Sequence, residues 1–222
     1  MGKLIVIEGT DGSGKSTQFK KLWEHLESDG ITFKHIVFPR YDQESSALIR
    51  MYLGGQFGDK PSDVNAYAAS SFYAVDRYAS YKMDWGKWYN EGGVVISDRY
   101  TTSNAVHQAS KEEGPARQEY LKWLYDFEYD KLGLPRPDLT IYLDVPTDFT
   151  EKLLRHREAD TNTTADIHEK DMDYLATCRQ CGREAAQYYG WKVIQCVKDG
   201  KMRSIEDIHN EIYAAVQQCL ED

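Results

Sequence analysis

Between Gly9 and Ser16 the chain reads GTDGSGKS, with Thr17 following. The spacing satisfies G-x-x-x-x-G-K-[S/T], the pattern of a loop that cradles a nucleoside triphosphate. An apolar run precedes it and an amphipathic segment follows, the strand and helix such a loop requires. Each residue type has a physical reason to be there. Gly9, Gly12 and Gly14 let backbone N–H groups turn inward around phosphate oxygens. The N-terminus of the following helix adds positive potential. Lys15 reaches the β- and γ-phosphates, and the Ser16 hydroxyl is a ligand for Mg²⁺. Gly9, Thr10, Asp11, Gly12, Ser13, Gly14, Lys15, Ser16 and Thr17 therefore form the candidate ATP-binding set.

The loop does not say where the phosphoryl group goes. A GTPase would carry Asn-Lys-x-Asp, and none occurs. Asp130-Lys-Leu-Gly133 fits D-x-x-G but stands at a helix end rather than after a strand. A transferase needs a second anion site facing the loop. Val94 to Ser97 is an apolar run that ends on Asp98-Arg99-Tyr100, and the run at His35 ends on Phe38-Pro39-Arg40. In open α/β sheets ligands bind at the carboxyl ends of strands. There Asp98 can hold Mg²⁺ through water, and Arg99 can grip a phosphate with two parallel hydrogen bonds. A surface ion pair is the plain alternative for either arginine. Tyr73 and Arg77 stand four apart and share a helix face, so a ring can stack on a flat base while a guanidinium bonds its edge. The plain alternative is packing, since the chain holds 16 tyrosines.

These residues need elements to position them. Five short apolar runs, Lys3–Glu8, His35–Phe38, Gly93–Ser97, Leu139–Val145 and Lys192–Val197, are rich in Val and Ile and separated by helical patterns. They predict parallel strands buried on both faces, with crossover helices. Phe19, Leu22, Trp23 and Leu26 form the stripe of a first helix that stops at Gly30. A long helical segment covers about Asp63 to Asn90. Pro115 opens another, with Leu121, Leu124 and Phe127 inward, ending near Gly133. Ser204-Ile-Glu-Asp207 caps the last helix, whose inner face carries Ile208, Ile212 and Val216. The polar stretch from Arg155 to Lys170 fits no element and reads as a solvated loop or a lid.

A chain of 222 residues, 41% hydrophobic, is expected to build one domain over residues 1–222, open to small insertions, with the candidate lid at about 155–170. The net charge of -9 argues against a nucleic acid polymer as partner. No apolar run reaches the roughly 18 residues of a membrane span. Neither a secretory signal nor a myristoylation signal is present, so a cytoplasmic location with no membrane partner is expected. Cys178 and Cys181 resemble half of a zinc ribbon, but no second pair stands at ligand spacing, and two thiols one helical turn apart is the reading kept.

With these residues collected, the chain resembles the thymidylate kinase family, nearly end to end. GTDGSGKST resembles that family's loop, and Asp98 to Asn104, DRYTTSN, its signature after the third strand. FPR, the AVDR helix segment and D-x-x-E follow in the expected order. The resemblance implies a P-loop NTPase fold with a five-stranded parallel sheet flanked by helices, a lid, a homodimer, and transfer of the ATP γ-phosphoryl group to dTMP. It further implies that Asp11 bonds the 3′-hydroxyl of dTMP. Arg40 and Arg99 would hold its phosphate, beside Phe38 and Pro39, and Tyr73 would stack on thymine. Arg77 and Asn104 would read the base edge. His107 and His168 stand where relatives often carry other side chains, Tyr among them, and join the dTMP-binding set. Asp166 and Glu169 match acidic lid residues, Glu169 near the metal. The loop has no arginine after Asp11, so the second cation is expected from the lid: Arg155, at the close of Leu153-Leu154-Arg155, with Arg157 as the fallback. The catalytic set is then Lys15, Arg99, Asp11 and Arg155, with Mg²⁺ held by Ser16, Asp98 and Glu169. Another nucleotide or a nucleoside as acceptor is the rival within the class; a binding module that turns over ATP slowly is the rival outside it.

Overall fold

The computed structural model describes residues 1–161 and 172–221, with residues 156–161 known by their backbone alone. Arg157, Asp166, His168 and Glu169 thus lie outside the described side chains. Five parallel strands form one sheet in the order β2-β3-β1-β4-β5: β1 (Lys3–Gly9), β2 (Phe33–Val37), β3 (Val94–Asp98), β4 (Leu139–Asp144) and β5 (Lys192–Gln195). Leu4, Ile5, Val6 and Ile7 of the central strand are each 0% exposed because helices cover both faces. The expectation of burial on both faces fails at the two edges. Lys34, His35 and Val37 of β2 and Lys192 and Gln195 of β5 are exposed, since an edge strand has a neighbour on one side only. The fifth apolar run also breaks: β5 stops at Gln195, and Val197 enters a two-stranded hairpin with Lys201–Met202.

On one face α1 (Lys15–Ser28) and α9 (Ile205–Glu221) enclose a core of Ile5, Ile7, Leu22, Leu26, Ile212 and Val216. Asp207 N donates to Ser204 Oγ at 3.0 Å, so the predicted cap starts α9. On the other face lie Leu4, Val6, Trp85, Tyr89, Tyr100 and Tyr129. The long segment expected from Asp63 starts later, at Ala66, with Asn65 Oδ1 accepting from Ala68 N at 2.8 Å as its cap. It runs as α3 (Ala66–Ser80), widens to a π-turn at Tyr81–Trp85, and finishes as α4 (Gly86–Asn90). The widening turns Trp85 fully into the core, while Tyr78 stays exposed.

After β2 comes α2 (Ala47–Leu53); beyond β3 come α5 (Thr101–His107) and α6 (Gly114–Tyr125), which passes into a π-turn at Asp126–Lys131. Phe127, expected inward, is only half-buried, whereas Glu128 and Tyr129 are buried. Helix α7 (Thr147–Thr161) carries the chain through Arg155 as helix rather than loop, and α8 (Met172–Tyr189) returns to cover β4. Cys178 and Cys181 sit one turn apart on α8, both buried, and burial raises their thiols to about 12 and about 11.

Candidate active site

The register of the sheet brings the motifs to one end. Ile7 of β1 pairs with Asp98 of β3, and Val37 of β2 pairs with the same Asp98. The chain leaves β1 into the glycine loop, β2 into Phe38-Pro39 and β3 into Arg99, all at carboxyl ends. A cleft of about 510 Å³ opens there. Among the predicted residues it is lined by Asp11, Gly12, Ser13, Gly14, Lys15, Ser16, Thr17, Phe38, Pro39, Tyr73, Arg77, Asp98, Arg99, Asn104 and His107. Gly9 and Thr10 form the root of the loop behind it. Val37, Tyr41, Leu53, Ser103, Gln108 and Leu153 complete the wall and had not been singled out as site residues.

The loop opens α1 through Gly14 at φ 83°, a left-handed turn that frees the first amides of the helix. Lys15 Nζ is buried and donates to Thr10 O at 2.9 Å. Its pKa is lowered, chiefly by burial and then by the nearby Arg99, with Asp11, Asp98 and Glu8 opposing. A polyanion in the cleft would relieve that strain and restore the charge.

Arg99 is the hub of the other side. Its φ of 66° is a conformation that costs a non-glycine residue about 1–2 kcal/mol, and strain of this kind gathers at functional sites. Its backbone N–H donates to Ile7 O at 3.1 Å, tying it to the central strand. Nη2 meets Asp11 Oδ1 at 2.5 Å, and Nη1 lies 3.5 Å from Glu8 Oε1 and 3.2 Å from Ser103 Oγ. Burial alone would lower its pKa, but Asp11, Glu8 and Asp98 outweigh it and raise it further, so the guanidinium stays charged. His107 Nε2 stands 3.0 Å from Nη1; because a guanidinium only donates, that ring nitrogen accepts.

Glu8 was missed by sequence reasoning. It is fully buried, accepting from Gly9 N at 2.9 Å, Thr102 Oγ1 at 3.0 Å and Ser103 Oγ at 2.7 Å. It pins the start of α5 to the root of the loop. The available signal was a carboxylate closing an apolar strand, which burial tolerates only with partners.

Arg77 is 1% exposed and forms a bidentate pair with Glu128, Nε to Oε2 at 2.6 Å and Nη2 to Oε1 at 2.5 Å. Burial opposes its charge, and Glu128 more than compensates, raising its pKa. Glu128 also escaped notice, although a carboxylate on the Leu121–Leu124 stripe was visible.

Besides Gly9 and Thr10, two predicted residues with described side chains, Arg40 and Arg155, stand outside the cleft. Arg40 is turned to Asp76, with Nε at 3.2 Å from Oδ1, and it also pairs with Asp84 and with Ser45 Oγ at 3.1 Å. Successive helix positions point about 100° apart, so Asp76 serves Arg40 while Arg77 serves the cleft. Arg155 is exposed and pairs with Glu151 one turn earlier at 2.5 Å, a contact too weak at the surface to hold it there.

Asp98 Oδ1 is buried with no hydrogen-bond partner among the described residues. With the Ser16 hydroxyl in the same cleft, this is a hard-oxygen set that suits Mg²⁺, which takes one or two protein oxygens and completes its shell with water and phosphate. No described helix is long and apolar enough to cross a membrane.

Comparison with known proteins agrees with this geometry. The profile of the family described as thymidylate kinase matches residues 7–212. A thymidylate kinase of Mycobacterium tuberculosis is 34% identical over 198 residues, covering 86% of this chain and 90% of the relative. A probable thymidylate kinase of Pyrococcus horikoshii is 33% identical over 220 residues, covering 99% and 98%. The human thymidylate kinase is 31% identical over 144 residues, covering 65% and 61%. A glycine loop and an arginine-bearing strand end in one cleft, a buried Arg77–Glu128 pair beside it and a family match over most of the length lead to one conclusion: this chain belongs to the thymidylate kinase family.

Proposed function

We propose that the protein transfers the γ-phosphoryl group of ATP to dTMP, giving dTDP and ADP, with Mg²⁺ as cofactor. The observation that carries the reading is one cleft lined both by Lys15 and the glycine loop and by Arg77, Arg99 and Asn104. A phosphate dianion is already a good nucleophile, so the residues act by positioning and charge neutralisation rather than by proton abstraction.

Lys15 and the loop hold the donor phosphates. Arg99 holds the acceptor phosphate, oriented by Asp11 and Glu8, and Asp11 shares itself between Arg99 and the 3′-hydroxyl. Tyr73 stacks on the base. Asp98 and Ser16, joined by Glu169, would hold Mg²⁺, which would supply positive charge to the donor phosphates. Arg40, beside Phe38 and Pro39, would hold the acceptor phosphate with Arg99 by exchanging its pairs with Asp76 and Asp84 for that anion. His168 and Asp166 complete the acceptor side, and Arg155 or Arg157 supplies the second cation.

A homodimer is part of the reading, supported by the apolar face of the α3–α4 segment, where Val75 is 54% and Met83 76% exposed. A reducing, cytoplasmic compartment is supported by Cys178, Cys181 and Cys196 held as buried thiols. The test is a coupled assay with ATP against dTMP, dUMP, AMP, GMP, CMP and thymidine. The reading expects dTMP to be the best acceptor. Turnover independent of acceptor would overturn it in favour of an ATP-hydrolysing module.

A further inference from the structure

Glu128 is fully buried and does not line the cleft, yet it touches two residues that do. Its Oε1 and Oε2 take the Nη2 and Nε hydrogens of Arg77, and Oε2 also accepts from Thr101 Oγ1 at 2.8 Å. Arg77 Nη1 donates to Tyr100 O at 3.3 Å. These contacts lock the guanidinium plane, and the N–H bonds left over are donors for the cleft. The same carboxylate fixes the second residue. Asn104 Nδ2 faces Glu128 Oε1 at 3.4 Å and Ser70 O at 3.5 Å. Both are acceptors, so only the NH₂ end of the amide suits that side. Oδ1 is then left to accept from the cleft that Asn104 lines.

The cleft therefore offers a donor from Arg77 beside an acceptor from Asn104. A ring matches it when a carbonyl oxygen stands next to a ring N–H, the imide edge of thymine and uracil. Cytosine presents the reverse, an exocyclic NH₂ against the guanidinium and a bare ring nitrogen against Oδ1. Such a mismatch leaves buried polar groups unpaired, and sites built on hydrogen bonds reject on that ground. We infer that Glu128 is a positioning residue that sets the hydrogen-bond polarity of this pocket, and through Arg77 and Asn104 selects imide pyrimidines over cytosine. It acts on the imide edge alone and does not separate thymine from uracil.

This rests on the acceptor site proposed above, and the test separates the two. Glu128→Gln keeps the shape and removes the charge. Steady-state kinetics with dTMP, dUMP and dCMP, together with calorimetric dissociation constants for each, read the result. The KM and Kd for dTMP should rise about tenfold, and the dTMP:dCMP preference in kcat/KM should fall by a similar factor. The ATP KM, the kcat at saturating dTMP and the dTMP:dUMP preference should stay within about twofold. Thr101→Val, which removes one donor to the carboxylate without emptying the site, should show the same pattern at about threefold, and it decides the matter if the Gln variant fails to fold. A dTMP:dCMP preference unchanged in a folded variant would overturn the role of Glu128. A wild-type protein that does not prefer dTMP over dCMP would instead overturn the acceptor site itself.

Discussion

Gly12 is where the phosphate loop touches the helix that leads out of the site. Its φ is +74°, and a Cβ there would lie 2.7 Å from Thr150 O and 2.8 Å from Leu154 Cγ, both on α7. Gly30, just past α1, has nearly the same φ, +72°, but a Cβ there meets nothing within 4 Å. The pair separates two costs. A left-handed φ costs an alanine about 1–2 kcal/mol at either site. Overpacking adds about 1–3 kcal/mol at Gly12 alone, because the Thr150 oxygen is backbone and cannot rotate aside. Gly30→Ala should therefore cost about 1–2 kcal/mol and Gly12→Ala about 2–5 kcal/mol. In a domain of this size, about 1 kcal/mol moves Tm by about 2–4 °C. Urea melts of both variants against the wild type measure the difference. Relief of the clash must also separate loop from helix, so Gly12→Ala should raise the KM for ATP by about fivefold or more while Gly30→Ala leaves it alone. Equal destabilisation of the two variants, with the ATP KM unmoved in both, would refute the contact between loop and α7 as an element of the site.

Three further expectations test other parts of the molecule. Lys15→Ala should remove turnover while Tm stays within about 3 °C, since the variant deletes a buried cation whose one hydrogen bond among the described residues is to Thr10 O; retained activity would sink the loop assignment. Arg155→Ala, or failing that Arg157→Ala, should lower kcat by roughly tenfold at saturating substrates with dTMP affinity little changed, and a double variant within about threefold of wild type would place the second cation elsewhere. Lys111 donates to Tyr52 Oη and Val64 O, and burial pushes its pKa down from 10.5 to about 7. Between those values the unfolded chain holds a proton that the folded chain has released, so wild-type stability gains with rising pH from this group. Lys111→Met should therefore be relatively most stable near pH 7, with an advantage of roughly 1–3 kcal/mol that fades toward pH 10; a difference that is flat with pH in urea melts would refute it.

The sequence by itself determined the phosphate loop, the run of five parallel strands and the side of the sheet on which chemistry gathers. These are local: glycines, apolar runs and strand-end charges are set by neighbours a few residues apart. It also determined the face of α9 and the start of that helix, because the stripe and the Ser204 cap are both written within a few turns. Strand order was another matter. Nothing local says that β3 lies between β1 and β2, and that adjacency is what sets Arg99 against the loop and leaves β2 half exposed at the edge. The partners of the buried charges were equally hidden. Arg77 and Glu128 are 51 positions apart, and Glu8 and Ser103 are 95 apart. A buried charge is tolerable only when an opposite charge or donor reaches it, and which one does so depends on how α3, α5 and the π-turn after α6 meet. That is why Arg40 could be singled out from a strand end and yet be found held by Asp76 and Asp84: side-chain direction is decided by the nearest counter-charge in space, and only the folded chain chooses it.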